Sequence, residues 1–337
     1  MNELIKTLIN KNKSFLPIWF MRQAGRYLPE FRKIRLQNKN FINLCLNSDF
    51  SSEITLQPIQ RFYLDAAIIF SDILMVPYGL NQNVVFKKNL GPILSNFNSE
   101  VFLKVKNEEF TKKLSPIYEA IKKTRVKLNE KKALISFIGS PWTLVVYMLG
   151  LKQDKNSLNI DLFNKRKDEI TLIFNSINNF LCLHIDNQIK AGANVIQIFD
   201  SWAGLIPHKF LNEYCFEPNK KIVDHCRNKK IPTICFPKGI KKNYYDFYKI
   251  VKPDGLSIDY DLDPEWARVK LEGCCIQGGL DPKILLEGNQ KMFKEAEKYL
   301  KIFKNYPYIF NLGHGLLPNT DPINVEKLIK FVRDYTK

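Results

Sequence analysis

Short apolar, β-branched runs recur along the chain. Each is followed by Gly, Pro, Ser or Asp and then by a longer amphipathic stretch. The runs are PIWFM at 17–21, AAIIFS at 66–71, ALISFIG at 133–139, NVIQIFD at 194–200, PTICFP at 232–237, GLSID at 255–259, CCIQGG at 274–279 and YIFNLG at 308–313. They are continuous rather than alternating, which is the pattern of parallel strands covered on both faces. Helical periodicity fills the gaps. One helix is predicted from Asp49 to Phe62, opened by an Asp or Ser cap. Another is predicted from about Arg166 to Lys190, stopped at Ala191-Gly192. The longest gap, 71 to 133, predicts extra elements, including a hairpin around Asn83 to Pro92. Eight strand–helix units predict an α/β fold, a (β/α)8 TIM barrel forming a single domain over residues 1–337. A doubly wound open sheet is the alternative.

A barrel places its functional residues just after the strands, at the C-terminal mouth. The tails of the runs carry Arg22 and Arg26, Asp72, Tyr147 beyond a turn, Asp200-Ser201-Trp202, Lys238, Asp259, Asp281 and His314. The segment FMRQAGRYLPE sets two arginines four residues apart around Gln23-Ala24-Gly25. Two guanidinium forks at one mouth suit a polycarboxylate or phosphate; solvated loop charges are the plainer reading. Asp72 follows FS and precedes ILM, poorly solvated company for a carboxylate. It is either a cap or internal ion pair, or a group that faces a ligand rich in N–H donors or positive charge. Tyr147 reads first as a core tyrosine within reach of the mouth. His314 sits between two glycines, as a ligand group or a turn histidine bonded to backbone. FDSWAG is not a nucleophile elbow, and no Ser-His-Asp set follows it. No Rossmann or P-loop glycine motif is present.

Composition narrows the partners. Lys+Arg 51 against Asp+Glu 34 gives a formal charge of +17. Such an excess fits nucleic acid, an anionic membrane or an anionic small molecule. The lysines form no dense patch and no nucleic-acid-binding signature appears, so no nucleic-acid partner is expected. The uncharged stretch from Ala133 to Leu151 approaches the length of a membrane span, but Gly139-Ser140-Pro141 breaks it, so no membrane partner is expected. The seven cysteines are odd in number and irregularly spaced, which predicts free thiols and a cytoplasmic location. Cys235, Cys274 and Cys275 lie on or near late strands, the one hint of a zinc site of the kind that serves methyl transfer to thiols. No His-x-Cys pair accompanies them.

The chain resembles the uroporphyrinogen decarboxylase family. The resemblance rests on PIWFMRQAGRYLPEFR at 17–32, FINLC at 41–45, TLQPIQRFYLDAAIIFSDIL at 55–74, GSPWTLVVYM at 139–148, QIKAGANVIQIFDSWAG at 188–204 and NLGHGLLPNTDP at 311–322. It covers nearly the whole length. It departs from the family pattern at Tyr78-Gly79-Leu80, at Gly279 and at Ile240-Lys241-Lys242. The resemblance implies a (β/α)8 barrel, a homodimer, and no metal or organic cofactor. The implied substrate is uroporphyrinogen III, four of whose acetate carboxyls leave as CO2 to give coproporphyrinogen III. Carried over position by position, the binding loop is Arg22, Gln23, Ala24, Gly25 and Arg26. Phe41 lines the site, Asp72 meets the pyrrole nitrogens, and Tyr147, Ser201 and His314 complete it. Catalytic roles fall to Asp72, Arg22, Tyr147 and His314. The proton donor stays open among His314, Tyr147 and an arginine.

Overall fold

The computed structural model describes residues 2–87, 91–154 and 157–336. Nine strands follow in chain order: β1 Ala66–Ile68, β2 Val84–Lys87, β3 Gly91–Leu94, β4 Ala133–Gly139, β5 Val195–Asp200, β6 Thr233–Pro237, β7 Gly255–Ile258, β8 Cys275–Gly278 and β9 Tyr308–Ile309. Seven form one all-parallel sheet in the order β1-β4-β5-β6-β7-β8-β9. The remaining pair, β2 and β3, is the antiparallel hairpin predicted in the longest gap; its turn lies outside the described residues.

The eighth strand of the predicted barrel is present only as a seam. Ile18 forms a parallel bridge to Phe310. Phe310 N–H donates to the Pro17 carbonyl at 2.9 Å. On the other side, Asp65 N–H donates to the Ile18 carbonyl at 2.9 Å. The run at 17–21 therefore joins β9 to β1 and closes the sheet into a (β/α)8 barrel. The open-sheet alternative is excluded by that closure.

Continuous apolar strands bury both faces. One face fills the barrel: Trp19, Met21, Ala66, Ile68, Ala133, Ile135, Val195, Ile234, Phe236, Cys275 and Ile309 pack as one buried cluster. The other face packs on the surrounding helices. A polar layer crosses the interior, where Gln277 accepts from Trp19 Nε1 at 2.8 Å and donates to Ser257 Oγ at 2.7 Å. Leu4 and Leu8, on the helix Glu3–Ile9, are fully buried with this cluster.

The helices start and stop for readable reasons. The helix Lys167–Lys190 ends at Ala191, and Gly192 follows at φ 111°. The helix predicted from Asp49 to Phe62 spans Ser48–Arg61, and its cap is Asn47 rather than Asp or Ser. Asn47 accepts from the N–H groups of Asp49 and Phe50, and an amide oxygen caps as well as a carboxylate. No helix is long and apolar enough to cross a membrane among the described residues. The stretch 133–151 divides into β4 and the helix Pro141–Met148, as its Gly-Ser-Pro break predicts.

Candidate active site at the barrel mouth

Asp72 follows β1 at the C-terminal end of the barrel. Its Oδ1 accepts the Leu74 N–H at 2.9 Å, a short local turn that leads into the helix Met75–Gly79. It is not the helix cap: Leu74 holds that position and the helix has no side-chain cap bond. The Leu74 bond satisfies little of a carboxylate, and no ion pair to it forms among the described residues. Burial raises its pKa to about 6; the Leu74 N–H and the positive charge of Arg22 pull the other way without cancelling it. A carboxylate with spare lone pairs is thus held at the mouth.

Arg22 stands at φ 61°, in the left-handed region, at the start of the loop after the seam strand. The loop is anchored from below. Met21 N–H donates to Asn311 Oδ1 at 3.1 Å, and Leu316 N–H donates to the Met21 carbonyl at 2.9 Å. The Arg22 side chain lies over Gly315: a Cβ on Gly315 would stand 2.4 Å from Arg22 Cδ. The second glycine of the Gly-His-Gly turn is therefore space for an arginine. Gln23 differs from the expectation. Its side chain is fully buried, accepting from Phe20 N–H at 3.0 Å and donating to the Ala66 carbonyl at 2.9 Å. It fastens the loop to β1 and does not present its amide to the mouth. Ala24 and Gly25 are half-buried, and Arg26 is exposed.

His314 is half-buried on the Gly-His-Gly turn. Its Nδ1 accepts the Gly315 N–H at 2.7 Å, so the neutral ring carries its proton on Nε2. Burial, with Arg22 and Lys238 nearby, lowers its pKa to about 3. At neutral pH it is a hydrogen-bond donor, not an imidazolium acid.

Tyr147 sits in the helix Pro141–Met148, edge-on to Trp202 with ring centroids 5.9 Å apart. Burial raises its pKa; the charge of Asp72 adds to the rise, and Trp202 and Arg22 oppose it. Asp200 fixes this wall. Its Oδ1 accepts from Thr143 Oγ1 at 2.8 Å, and that hydroxyl accepts the Trp202 N–H at 3.2 Å. Ser201 is half-buried between them in sequence, at the end of β5. Asp200, Asp259 and Asp281 share the strand tails but serve structure. Asp259 accepts the Gly239 N–H at 2.7 Å, and Asp281 caps the helix Pro282–Glu287.

Phe41 opens the helix Phe41–Cys45, capped by Asn40. It packs on Phe70 at 5.9 Å and on Phe86 of the hairpin at 4.4 Å, and Arg35 lies over its ring at 5.9 Å. The extra hairpin thus adds an aromatic wall beside Asp72.

Arg22 lies over the His314 turn, and its positive charge reaches Asp72, Tyr147 and His314. Ser201, Phe41 and the 24–26 backbone lie around the rim of the mouth by position. Lys238, half-buried at the end of β6, was in a strand tail but outside the expected set; its influence on His314 brings it in. Its place after the PTICFP run is the sequence signal that separates it from the other lysines. Cys235, Cys274 and Cys275 are buried, burial pushes their thiols up, and no group of three His, Cys, Asp or Glu residues that could hold a metal occurs among the described residues.

The closed (β/α)8 barrel carries at its mouth a carboxylate, Asp72, within reach of the positive charge of Arg22, the frame of an enzyme site. Comparison with known proteins is specific. The family model described as uroporphyrinogen decarboxylase (URO-D) matches residues 1–335. A uroporphyrinogen decarboxylase of Rickettsia bellii is 44% identical over 98% of this chain and 97% of its own. One of Orientia tsutsugamushi (strain Boryong) is 42% identical over 99% of each. The chain belongs to the uroporphyrinogen decarboxylase family. Among solved structures, a methyltransferase from Methanosarcina mazei superposes with a TM-score of 0.81 over 99% of this chain and 98% of that one. At 15% identity this likeness speaks for the fold alone.

Proposed function

We propose that this chain, acting as one domain over residues 1–337, converts uroporphyrinogen III to coproporphyrinogen III. Each acetate arm loses CO2 and becomes a methyl group, with one proton consumed per arm. Loss of CO2 would leave a carbanion, so an electron sink is needed. A pyrrole supplies it. Protonation at its α-carbon gives a cation conjugated to the departing carboxyl; CO2 leaves, the electron pair enters the ring, and the methylene is then protonated as the ring proton departs.

The protein's part is electrostatic and geometric. Asp72 gathers pyrrole N–H groups and stabilises the developing cation. Arg22 and Arg26 hold carboxylates, so that the arm to be cleaved is presented in one orientation. His314 offers its Nε2–H and Tyr147 its phenolic O–H at the reacting arm, and with Arg22 they are the candidates for the proton donor. Phe41 supplies an apolar wall. The observation that carries this reading is Asp72: a carboxylate held at the mouth with a single internal donor, which is costly unless a ligand completes it. A homodimer in the cytoplasm is proposed with it. The resemblance supports the dimer, and seven free thiols support the compartment.

The test is anaerobic incubation of the purified protein with uroporphyrinogen III, with EDTA present. Coproporphyrinogen and CO2 in a one-to-four ratio are expected, at a rate EDTA does not change. No decarboxylation would overturn the reading. Abolition by EDTA would overturn the proposal that no metal takes part.

A further inference from the structure

Half-buried cations in this protein are satisfied. Lys6, Lys11, Lys113, Lys123 and Lys220 each donate to a carboxylate, a carbonyl or a side-chain oxygen. Lys132 donates to the Leu64 carbonyl. The half-buried arginines at 35, 125, 166 and 333 do likewise. Among the described residues, Lys238 is the exception: it is half-buried, and its ammonium has neither an ion pair nor a hydrogen bond. A half-covered lysine whose ammonium meets no protein acceptor is free to take an anionic ligand.

Its backbone is held firmly. Lys238 N–H donates to the Asp200 carbonyl at 3.1 Å, and its own carbonyl accepts the Gly204 N–H at 2.9 Å. The next residue, Gly239, stands at φ 83° with its N–H on the buried Asp259 carboxylate at 2.7 Å. The turn packs so closely on the 203–204 loop that a Cβ on Gly204 would stand 2.8 Å from the Gly239 carbonyl oxygen. Ile234 and Phe236 of β6 face the barrel interior, and Lys238 opens the turn that directly follows that strand at the mouth of the barrel.

We propose that Lys238 is a substrate-binding residue, taking a carboxylate arm of the tetrapyrrole on the side of the mouth opposite Arg22, with His314 between them. The inference rests on the function proposed above and deepens it. An octa-anion offers more carboxylates than Arg22 and Arg26 can fork, and a compact ammonium suits one arm without dictating its plane. The turn fixes where the lysine stem starts, and the stem carries the ammonium to the arm.

The experiment compares the full-length wild type with Lys238→Met, Lys238→Arg and Lys298→Met, the last removing an exposed lysine of the helix Gln290–Ile302. Turnover of uroporphyrinogen III and binding of uroporphyrin, followed by tryptophan quenching, are both measured. Lys238→Met should raise KM and Kd about tenfold, as loss of a charged hydrogen bond does. Its kcat should stay within about twofold, and the salt dependence of kcat/KM should become shallower. Lys238→Arg should restore most of the affinity, and Lys298→Met should change nothing. KM and Kd of Lys238→Met equal to wild type would overturn the proposal, as would an equal loss in Lys298→Met. Should Lys238→Met fail to fold, Lys238→Gln is read by the same criteria. A wild type that binds uroporphyrin but does not decarboxylate it would sink the proposed function, while the Kd comparison would still decide Lys238.

Discussion

Two aspartates stand at the two ends of β1, seven residues apart, and they have opposite surroundings. At the bottom of the barrel, Asp65 Oδ2 accepts the Ile18 N–H at 2.6 Å and Arg333 Nη2 at 2.5 Å. That guanidinium also donates to the carbonyls of Leu16 and Tyr63, and lies over the rings of Phe15 and Tyr63. Asp65 is a finished interaction that ties the C-terminal helix Pro322–Tyr335 to the seam. At the top, Asp72 has one local backbone donor and a pKa pushed up to about 6. One residue type, on one strand, is spent on stability at one end and left incomplete at the other. The groove beside Arg333 encloses about 1070 Å³. The contrast between a paired and an unpaired carboxylate points to the mouth as the site.

The contrast can be broken experimentally. The largest expected effect is on turnover: Asp72→Asn keeps the shape and removes the charge, and should lower kcat on the order of 10²–10³-fold. Near-normal coproporphyrinogen formation would dismiss the assigned role. In the wild type, kcat/KM should fall as pH drops below about 6, where Asp72 becomes protonated.

Asp65→Asn should act in the opposite sense. Breaking a largely buried pair leaves Arg333 uncompensated and should cost about 3 kcal/mol in urea unfolding. The kcat of the folded fraction should change less than twofold. A large kcat loss there would erase the distinction between the two ends.

A smaller effect sharpens the comparison through its sign. The folded pKa of Asp72 lies above its unfolded value of about 3.9, so its ionised form opposes folding. That penalty is complete above about pH 6 and disappears as pH falls towards 4. Asp72→Asn should therefore stabilise the protein by about 1–2 kcal/mol at pH 8, after allowance for partial solvent screening, and by nothing at pH 4. His184 has the reverse dependence. Its buried ring, bonded to Tyr118 and Gln188, has its pKa lowered to about 3. Its contribution is present above about pH 6.5 and is lost as pH falls below it. The smallest effect is at the exposed arm of the clamp: Arg26→Lys should raise KM a few-fold by removing the fork. An unchanged KM would take Arg26 out of the clamp.

The fold was legible because parallel strands buried on both faces leave unbroken apolar runs. All eight runs lie on the barrel, including PIWFM at 17–21, although only Ile18 makes a bridge there. The cluster of Arg22, Asp72, Tyr147 and His314 was legible from position after those runs and from the family resemblance. Direction was not. Spacing along RQAGR says nothing about which way each side chain turns, and Gln23 turns inward to hold backbone. Asp200, Asp259 and Asp281 occupy strand tails as Asp72 does; only their partners separate a brace from a ligand group. Lys238 was legible as a strand-tail residue but not as a ligand group, since Lys+Arg 51 leaves one lysine without chemical contrast.

The seam at Ile18 sets a timetable for assembly. The Arg22 loop is fastened by Asn311 and Leu316, nearly three hundred residues later in the chain. During synthesis from the N-terminus, no length of nascent chain short of these residues contains a completed clamp. The strands from β1 to β8 can pair progressively through neighbouring contacts, whereas closure must bring the two ends together across a long loop. Ring closure and the arrival of the guanidinium over Gly315 are thus one event, so a molecule caught half-built cannot grip its anionic ligand early.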